Sequence, residues 1–324
     1  MNGLKVIVIG SGVAGMAAAI RLAVRGFDVA VYEKNYYPGG KLSAFEKDGF
    51  KFDAGPSLFT QPKNIEELFE LAEEPVEAYF RYQPVDIACK YFYENGKVVE
   101  AAADPELFAE TLHTALGEST RVVTNYLKES AKVYDNIGTI FLNHSLHKRK
   151  TWFNKRILKA IAATKYRYLF KTLHGHNAAK FKSAEAVQLF NRYATYNGSS
   201  PYKAPGMLSL IPHLEYNEGV FYPQGGMHSI TTALHQLALK KGVQFYFNAP
   251  IQKIINNEGK VRGVVVNNEN VAADIVVSNM DVFFTYNQLL NNADKAKKIL
   301  KQERSSSALV FYWGIKKEFT QLQL

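Results

Sequence analysis

The chain has 324 residues, 47% apolar and 13% aromatic, which is enough for a sizeable core and for two domains. Its formal net charge is +9, and its one cysteine, Cys89, excludes an intrachain disulfide and fits a reducing compartment, where it reads as an inert buried strand residue. No stretch supplies the roughly 18 uninterrupted apolar residues of a membrane-spanning helix, and the first apolar run, Leu4–Ile9, is too short for a signal peptide, so a cytoplasmic protein is expected.

In chain order, Lys5 to Ile9 predicts a buried strand, Gly15 to Arg25 an alanine-rich helix stopped by Gly26, and Phe27 to Tyr32 a second strand. Lys51 to Phe59 reads as extended and Asn64 to Ala72 as helical. Tyr82 to Phe92 and Lys97 to Ala102 flank Glu94-Asn95-Gly96, a hairpin signal, and Asp104 can cap a helix from Pro105 to Leu116. Helical patterns continue to about Tyr196, and Asn197 to Pro205 is a loop. Gly225-Gly226 then opens a helix through Lys240. Strands follow at Val243 to Phe247, Lys260 to Val266 and Asp274 to Val277, a helix at Asn292 to Gln302, and a strand at Ala308 to Ile315. The α/β texture of the start therefore returns near residue 219. The expected fold is a Rossmann-type α/β domain built from discontinuous segments, 1–75 and 219–285, with an α+β substrate and membrane domain at 76–218 to which 286–324 return.

Gly10-Ser11-Gly12-Val13-Ala14-Gly15 follows a strand and opens a helix, the context a dinucleotide fingerprint requires. Gly10 permits the tight turn, Gly12 lets a pyrophosphate approach the backbone, and Gly15 lets helix and strand pack closely. The helix start offers N–H groups and about half a positive charge to the phosphates. Glu33 ends the second strand, where a carboxylate accepts from ribose hydroxyls and repels a 2′-phosphate, which disfavours NADP. Pro38-Gly39-Gly40-Lys41 can wrap the pyrophosphate a second time, with Lys41 as a point charge. In Phe52-Asp53-Ala54-Gly55-Pro56-Ser57, Gly55 allows close backbone approach to a flat ring. That order after Glu33 favours FAD over NAD. The candidate cofactor residues are Gly10, Ser11, Gly12, Ala14, Gly15, Glu33, Lys34, Gly39, Gly40, Lys41, Leu42, Ala54, Gly55, Pro56, Ser57 and Ile251.

Gly10, Gly12, Gly15, Met16, Ala19, Leu22, Gly26, Val29, Val31, Glu33, Gly39 and Gly40 together resemble the FAD-binding start of flavin amine oxidases and carotenoid desaturases. Phe52 to Ser57, Phe221-Tyr222-Pro223-Gln224-Gly225-Gly226-Met227, Asn248-Ala249-Pro250-Ile251 and Asp274 to Asn279 resemble the phytoene desaturase branch. Gly55 to Thr60 with Pro62 looks most like bacterial 1-hydroxycarotenoid 3,4-desaturases. Lys41 departs from the family's arginine, and the family's chains run beyond Leu324 into a glycine-rich segment that completes the flavin site, which implies a truncated chain. The resemblance implies FAD as cofactor, the Ile251 backbone facing the adenine, and Ala54 to Ser57 bordering the isoalloxazine. It also implies a lipophilic carotenoid as substrate, oxidised by hydride transfer to the flavin, with oxygen or a quinone as electron acceptor. Alternatives are phytoene desaturase, a polyene isomerase or saturase, a flavin amine oxidase, and an inactive FAD-binding fragment. No catalytic triad or metal-ligand spacing stands out, so no catalytic residue is assigned and no metal is expected. Phe59 and Tyr222 are candidates for the substrate wall, with core packing as the equal alternative.

Between Asn136 and Ala184 there is no acid, while Lys148, Arg149, Lys150, Lys155, Arg156, Lys159, Lys165, Arg167, Lys171, Lys180 and Lys182 are all basic. Trp152, Phe153, Tyr166, Tyr168 and Phe170 are interleaved with them. Residues 144–182 are thus expected to lie on an anionic membrane, at about 1 kcal/mol per cation near the surface, making the protein peripherally membrane-associated. A solvated basic helix face is the other reading. No nucleic-acid motif accompanies the charge, so no nucleic-acid partner is expected. His144, His147, His174 and His176 read as solvated helix residues.

Overall fold

A computed structural model describes residues 3–138, 148 and 167–320. Most of the basic stretch 144–182, including His144, His147, Trp152, Phe153 and Tyr166, lies outside the described residues. The chain forms two compact units, one from residues 3–83, 221–304 and 312–314, the other from 84–220, 305–311 and 315–320.

The first unit begins with β1 (Lys5–Ile9), α1 (Val13–Val24) and β2 (Asp28–Tyr32), continues through the hairpin of β3 (Ser43–Lys47) and β4 (Phe50–Ala54), then α2 (Lys63–Leu71) and the short β5 (Tyr82–Pro84). The second unit follows with β6 (Ile87–Phe92), β7 (Val98–Ala102), α3 (Pro105–Leu116), α4 (Thr120–Val133), α5 (Leu173–Ala178) and α6 (Ala184–Asn191). The chain then re-enters the first unit with β8 (Phe221–Pro223), α7 (His228–Lys240), β9 (Gln244–Tyr246), β10 (Ile251–Asn257), β11 (Lys260–Val266), β12 (Glu269–Ala272), β13 (Ile275–Ser278) and α8 (Ala293–Leu300).

The first unit is mixed α/β around a parallel sheet of order β13-β1-β2-β9. β1 pairs with β2 on one edge and β13 on the other, both parallel. Its sequence Val6-Ile7-Val8-Ile9 is apolar without interruption because both faces are covered. Val6 and Val8, with Val29 and Val31 of β2, join the core formed with α1, α2 and α7. Ile7 and Ile9, with Tyr32, face the core shared with the antiparallel sheet β10-β11-β12. β10 and β12, which turn this second core into a layer, carry weak strand signals in the sequence. Leu289 is buried in the same core, so residues 286–304 belong to this unit and not with the insert.

Two sequence expectations fail on pairing. Tyr82 to Pro84 does not extend the hairpin of β6 and β7; β5 pairs with β8, close to where the chain leaves and re-enters the unit. Ala308 to Ile315 is apolar enough to signal a strand, yet no described strand pairs with it and it has no regular structure. Within it, the ring of Tyr312 packs edge-on against Phe45 and Phe52 of the β3–β4 hairpin, while Leu309 and Trp313 are exposed.

The second unit packs the β6–β7 hairpin, α3, α4 and α6 around an aromatic-rich core. Cys89 lies half-buried in β6. Asp104, Thr172 and Ser183 cap α3, α5 and α6 through their side-chain oxygens. Phe181 and Phe190 stack at 4.4 Å, and Phe108 stacks on Tyr216 at 4.3 Å. His176 is buried, 3% exposed, beside the rings of Tyr126 and Tyr168, which corrects its expected solvated state. Glu215, fully buried, accepts from both Arg192 Nη2 and the Tyr193 hydroxyl. Among the described residues no helix is long and apolar enough to cross a membrane.

Removing one partner of a buried ion pair leaves an uncompensated charge, at about 3–5 kcal/mol. Glu215→Leu is expected to cost that much in urea unfolding, whereas Lys97→Gln, which breaks the half-exposed pair with Glu185, should cost under about 1 kcal/mol. Burial also holds the phenols of Tyr91, Tyr126, Tyr193 and Tyr216 above their ordinary range. In the unfolded chain they ionise near pH 10 and in the folded unit they do not. Their contribution is full below pH 10 and falls as pH rises, at up to about 1.4 kcal/mol per pH unit for each tyrosine. Urea midpoints that stay level from pH 9 to 11 would contradict this.

Candidate nucleotide site

In a parallel sheet, ligands bind beyond the carboxyl ends of the strands, where the strand order reverses. Here that point lies between β1 and β13, the first and last strands of the sheet in sequence. Gly10 follows β1 with φ +92°, a conformation that favours glycine. Asn279 follows β13, and its backbone N–H donates to the Ile9 carbonyl at 2.9 Å. A Cβ on Gly12 would lie 2.9 Å from Asn279 Nδ2, and one on Gly15 would lie 2.2 Å from the Gly10 carbonyl oxygen. Gly15 is therefore required by contacts within the protein itself, whereas a Cβ on Gly12 would meet only the end of the Asn279 side chain. Val13 starts α1 with no side chain capping it, unlike α3, α5 and α6, and with no acid in its first turn, unlike α3 and α6. The orphan N–H groups and positive end of α1 remain available to an anion.

Glu33 is buried, 5% exposed, and does more than await a ribose. Its Oε2 accepts from Ser11 N–H at 2.8 Å and from the Ser11 hydroxyl at 3.0 Å, and its Oε1 accepts from Asn35 N–H at 2.9 Å. The carboxylate thus clamps the glycine loop before any ligand arrives. Oε1, with one of these donors, keeps acceptor capacity for a ribose hydroxyl. The Glu33 carbonyl accepts from Ala249 N–H, which brings the chain leading to Ile251, half-buried at the start of β10, alongside the end of β2.

The second glycine pair closes on the first. Gly39 N–H donates to the Ser11 carbonyl at 2.9 Å, and Gly12 and Gly39 form an isolated parallel bridge. A Cβ on Gly40 would sit 3.2 Å from Gly12 Cα. The structure thus gathers Gly10, Ser11, Gly12, Ala14, Gly15, Glu33, Gly39 and Gly40 around the start of α1. Ala14, Lys34, Gly40 and Lys41 are exposed, and Leu42 is buried in the core.

Ala54 closes the β3–β4 hairpin against Ser43, and Gly55, Pro56 and Ser57 beyond it are exposed. The close approach that Gly55 permits is to the Lys41 carbonyl, 2.1 Å from a Cβ at that position. Phe59 is in the core, its ring edge-on to those of Phe80, Tyr82 and Phe221. Tyr82, whose hydroxyl donates to Glu66, is pushed up to about 12 by burial and then by that carboxylate. Tyr222, by contrast, is exposed.

Two residues escape a local reading. Asp53 accepts from Met227 N–H at 2.8 Å and His228 N–H at 3.1 Å, capping α7 from a point 174 residues away. Thr231 of α7 donates to the Leu42 carbonyl at 2.7 Å, holding the chain just after Lys41. An aspartate capping its own helix is visible in sequence as a pattern; one capping a distant helix is not.

The flavin-containing amine oxidoreductase family model matches residues 13–282. The chain belongs to that family. It is 50% identical over 320 residues to a 1-hydroxycarotenoid 3,4-desaturase of Flavobacterium sp. (strain P99-3), covering 99% of this chain and 65% of the relative. It is 29% identical to a zeta-carotene-forming phytoene desaturase of Myxococcus xanthus, over 99% of this chain and 62% of the relative. The chain thus spans less than two thirds of the length of these relatives. Two solved structures share the fold: an oxidoreductase from Methanosarcina mazei at 18% identity, TM-score 0.61, covering 92% of this chain and 65% of that one, and putrescine oxidase bound to putrescine at 14%, TM-score 0.59, covering 89% and 60%.

Two substitutions test the site's own supports. Glu33→Gln turns a charged acceptor into an amide, and Asp53→Asn does the same at the start of α7. Each is expected to lower stability by about 1–3 kcal/mol without any nucleotide present. Glu33→Gln should also weaken nucleotide binding; thermal melts with and without added FAD separate the two effects. Wild-type melting in both variants would show that neither carboxylate supports the fold.

Proposed function

We propose that this chain carries the FAD-binding part and the insert of a carotenoid desaturase, of the 1-hydroxycarotenoid 3,4-desaturase kind. The observation that supports it most is the 50% identity over nearly the whole chain to an enzyme of that name, together with a glycine loop and clamped carboxylate suited to an ADP moiety. Gly10 to Gly15, Gly39 and Gly40 would hold the pyrophosphate against the uncapped end of α1, Glu33 Oε1 would take a ribose hydroxyl, and the Ile251 backbone would face the adenine. Lys34, Lys41 and the exposed turn Gly55 to Ser57 would border the remainder, with Ala54 and Leu42 fixing that turn and its neighbour. When bound, the flavin supplies a two-electron acceptor for a hydride taken from a saturated carbon pair of a polyene.

The residues present orient the cofactor. The glycines admit it, Glu33 distinguishes a free ribose from a 2′-phosphate, and Asp53 fixes the Gly225-Gly226 turn beneath the β3–β4 hairpin. No general base is assigned among them. Phe59 acts through the core, and Tyr222, being exposed, is the better placed of the two to meet a lipophilic substrate. The basic stretch 144–182 would bring the protein to the anionic bilayer in which such a substrate dissolves, leaving it otherwise cytoplasmic. Oxygen or a quinone would reoxidise the flavin.

The expected result is a purified protein with flavin absorption bands that bleach anaerobically on adding a 1-hydroxylated carotene, with a 3,4-dehydro product. Bleaching only by phytoene would reassign the substrate to that of the phytoene desaturases. A colourless protein that binds NAD would overturn the reading altogether.

A further inference from the structure

Within the second unit, a buried polar relay ends at a histidine in a cavity that the nucleotide site does not use. The Tyr126 hydroxyl donates to Asn177 Oδ1 at 2.8 Å, Asn177 Nδ2 donates to Asn191 Oδ1 at 3.0 Å, and Asn191 Nδ2 lies 3.0 Å from His174 Nδ1. Tyr126, Asn177 and Asn191 are all buried. With the Asn191 amide oriented so that its Oδ1 accepts from Asn177, its Nδ2 donates to His174 Nδ1, which matches the tautomer carrying the ring hydrogen on Nε2. In that orientation the relay runs from Tyr126 to His174 and leaves His174 Nε2 as the ring nitrogen able to donate. The backbone N–H of His174 is tied to the Pro201 carbonyl and its ring packs on Tyr202 at 4.6 Å, which holds the ring in place.

His174 lines a cavity of about 710 Å³ with Lys182, Gln188, Asn191, Arg192 and Tyr202. Its charged lining residues are both cations, and no carboxylate lines it. Buried Glu118 holds the backbone beneath Lys182 by accepting from the N–H groups of Lys182 and Ser183 at 2.8 and 2.7 Å. Arg192 is committed to Glu215 and Tyr91, so its charge is already paired and Lys182 is the cation left to meet a ligand. Burying three polar side chains in an aromatic core is costly unless each is satisfied. Here they are satisfied in a way that presents the His174 ring to a cavity also lined by Lys182. Apolar residues at those positions could fill the same space but could not hydrogen-bond the His174 ring.

We propose that this cavity is a binding site for an oxyanion, a phosphate group carried by a free small molecule or by a lipid headgroup, held by His174 Nε2–H and the Lys182 ammonium. The proposal is independent of the redox reading, because it concerns the second unit alone and its test measures no turnover.

The test titrates inorganic phosphate into the full chain by calorimetry, and in parallel co-sediments the chain with phosphatidylglycerol or phosphatidylcholine vesicles. Three variants are compared: His174→Phe, which keeps a ring on Tyr202 but has no donor; Lys182→Gln; and Lys171→Gln, an exposed cation outside the cavity. Saturable binding of phosphate or of the anionic vesicles is expected, weakened about tenfold or more in His174→Phe and Lys182→Gln and retained in Lys171→Gln, the size of one lost charge-assisted hydrogen bond. Phosphate alone binding identifies a soluble ligand; vesicles alone identify a lipid headgroup. No saturable binding overturns the proposal, as does wild-type affinity in His174→Phe. If His174→Phe does not fold by circular dichroism, equal affinity in Lys182→Gln and Lys171→Gln overturns it.

Discussion

The first unit depends on one strand being paired on both edges. β1 lies between β2, which follows it in sequence, and β13, which arrives more than 260 residues later; Lys5 N–H even bonds Asp274 Oδ2 across 269 residues. Because both edges and both faces are occupied, every residue from Val6 to Ile9 is buried. The position of Gly10 is then set, and with it the start of α1. The loop at the end of β1 inherits rigidity from a strand with no free side, as a phosphate-binding turn requires if it is not to spend binding energy on ordering itself.

Around that turn, the groups that shape the site are largely satisfied before any ligand is considered. Glu33 already holds Ser11 and Asn35, Asn279 fills the space beside Gly12 and Gly15, and Gly39 bridges back to Gly12. The usual account of each glycine as room for the ligand is only part of the matter here. Several are room for another part of the protein. A substitution at Gly15 or Gly55 would first collide with a carbonyl oxygen of its own chain.

Much of this was legible in the sequence where the signal is local. The run of β1, the glycine spacing, the acid at the end of β2, and Asp104 with Pro105 at the start of α3 each declare themselves within a few residues, because strand period, helix capping and tight turns are short-range effects. Illegible features depend on partners far along the chain. The capping of α7 by Asp53, the anchoring of Leu42 by Thr231 and the packing of Asn279 against the loop cannot be read from neighbours. The segment Ala308 to Ile315 shows the converse: an apolar β-forming run that no described strand pairs with remains irregular, because a ladder needs two sides. His176 carries the same lesson, since a histidine in a basic stretch looks solvated until the Tyr126 and Tyr168 rings close over it.

The separation between Asp53 and the helix it caps also sets a timetable. On the ribosome, β1, α1, β2 and the β3–β4 hairpin emerge long before α7, β9 and β13 exist. At about 5–20 residues per second, residues 84–220 alone take on the order of ten seconds to synthesise. For that interval β1 has an open edge, its apolar faces lack the cover that α7 and β10–β12 later provide, and the Asp53 carboxylate has no N–H groups to meet. The insert has its own core and can close on itself while the nascent first segment waits. The sheet beneath the nucleotide site is thus not closed until β13 has emerged, and its earliest-made strand is the one most in need of protection from other chains until then.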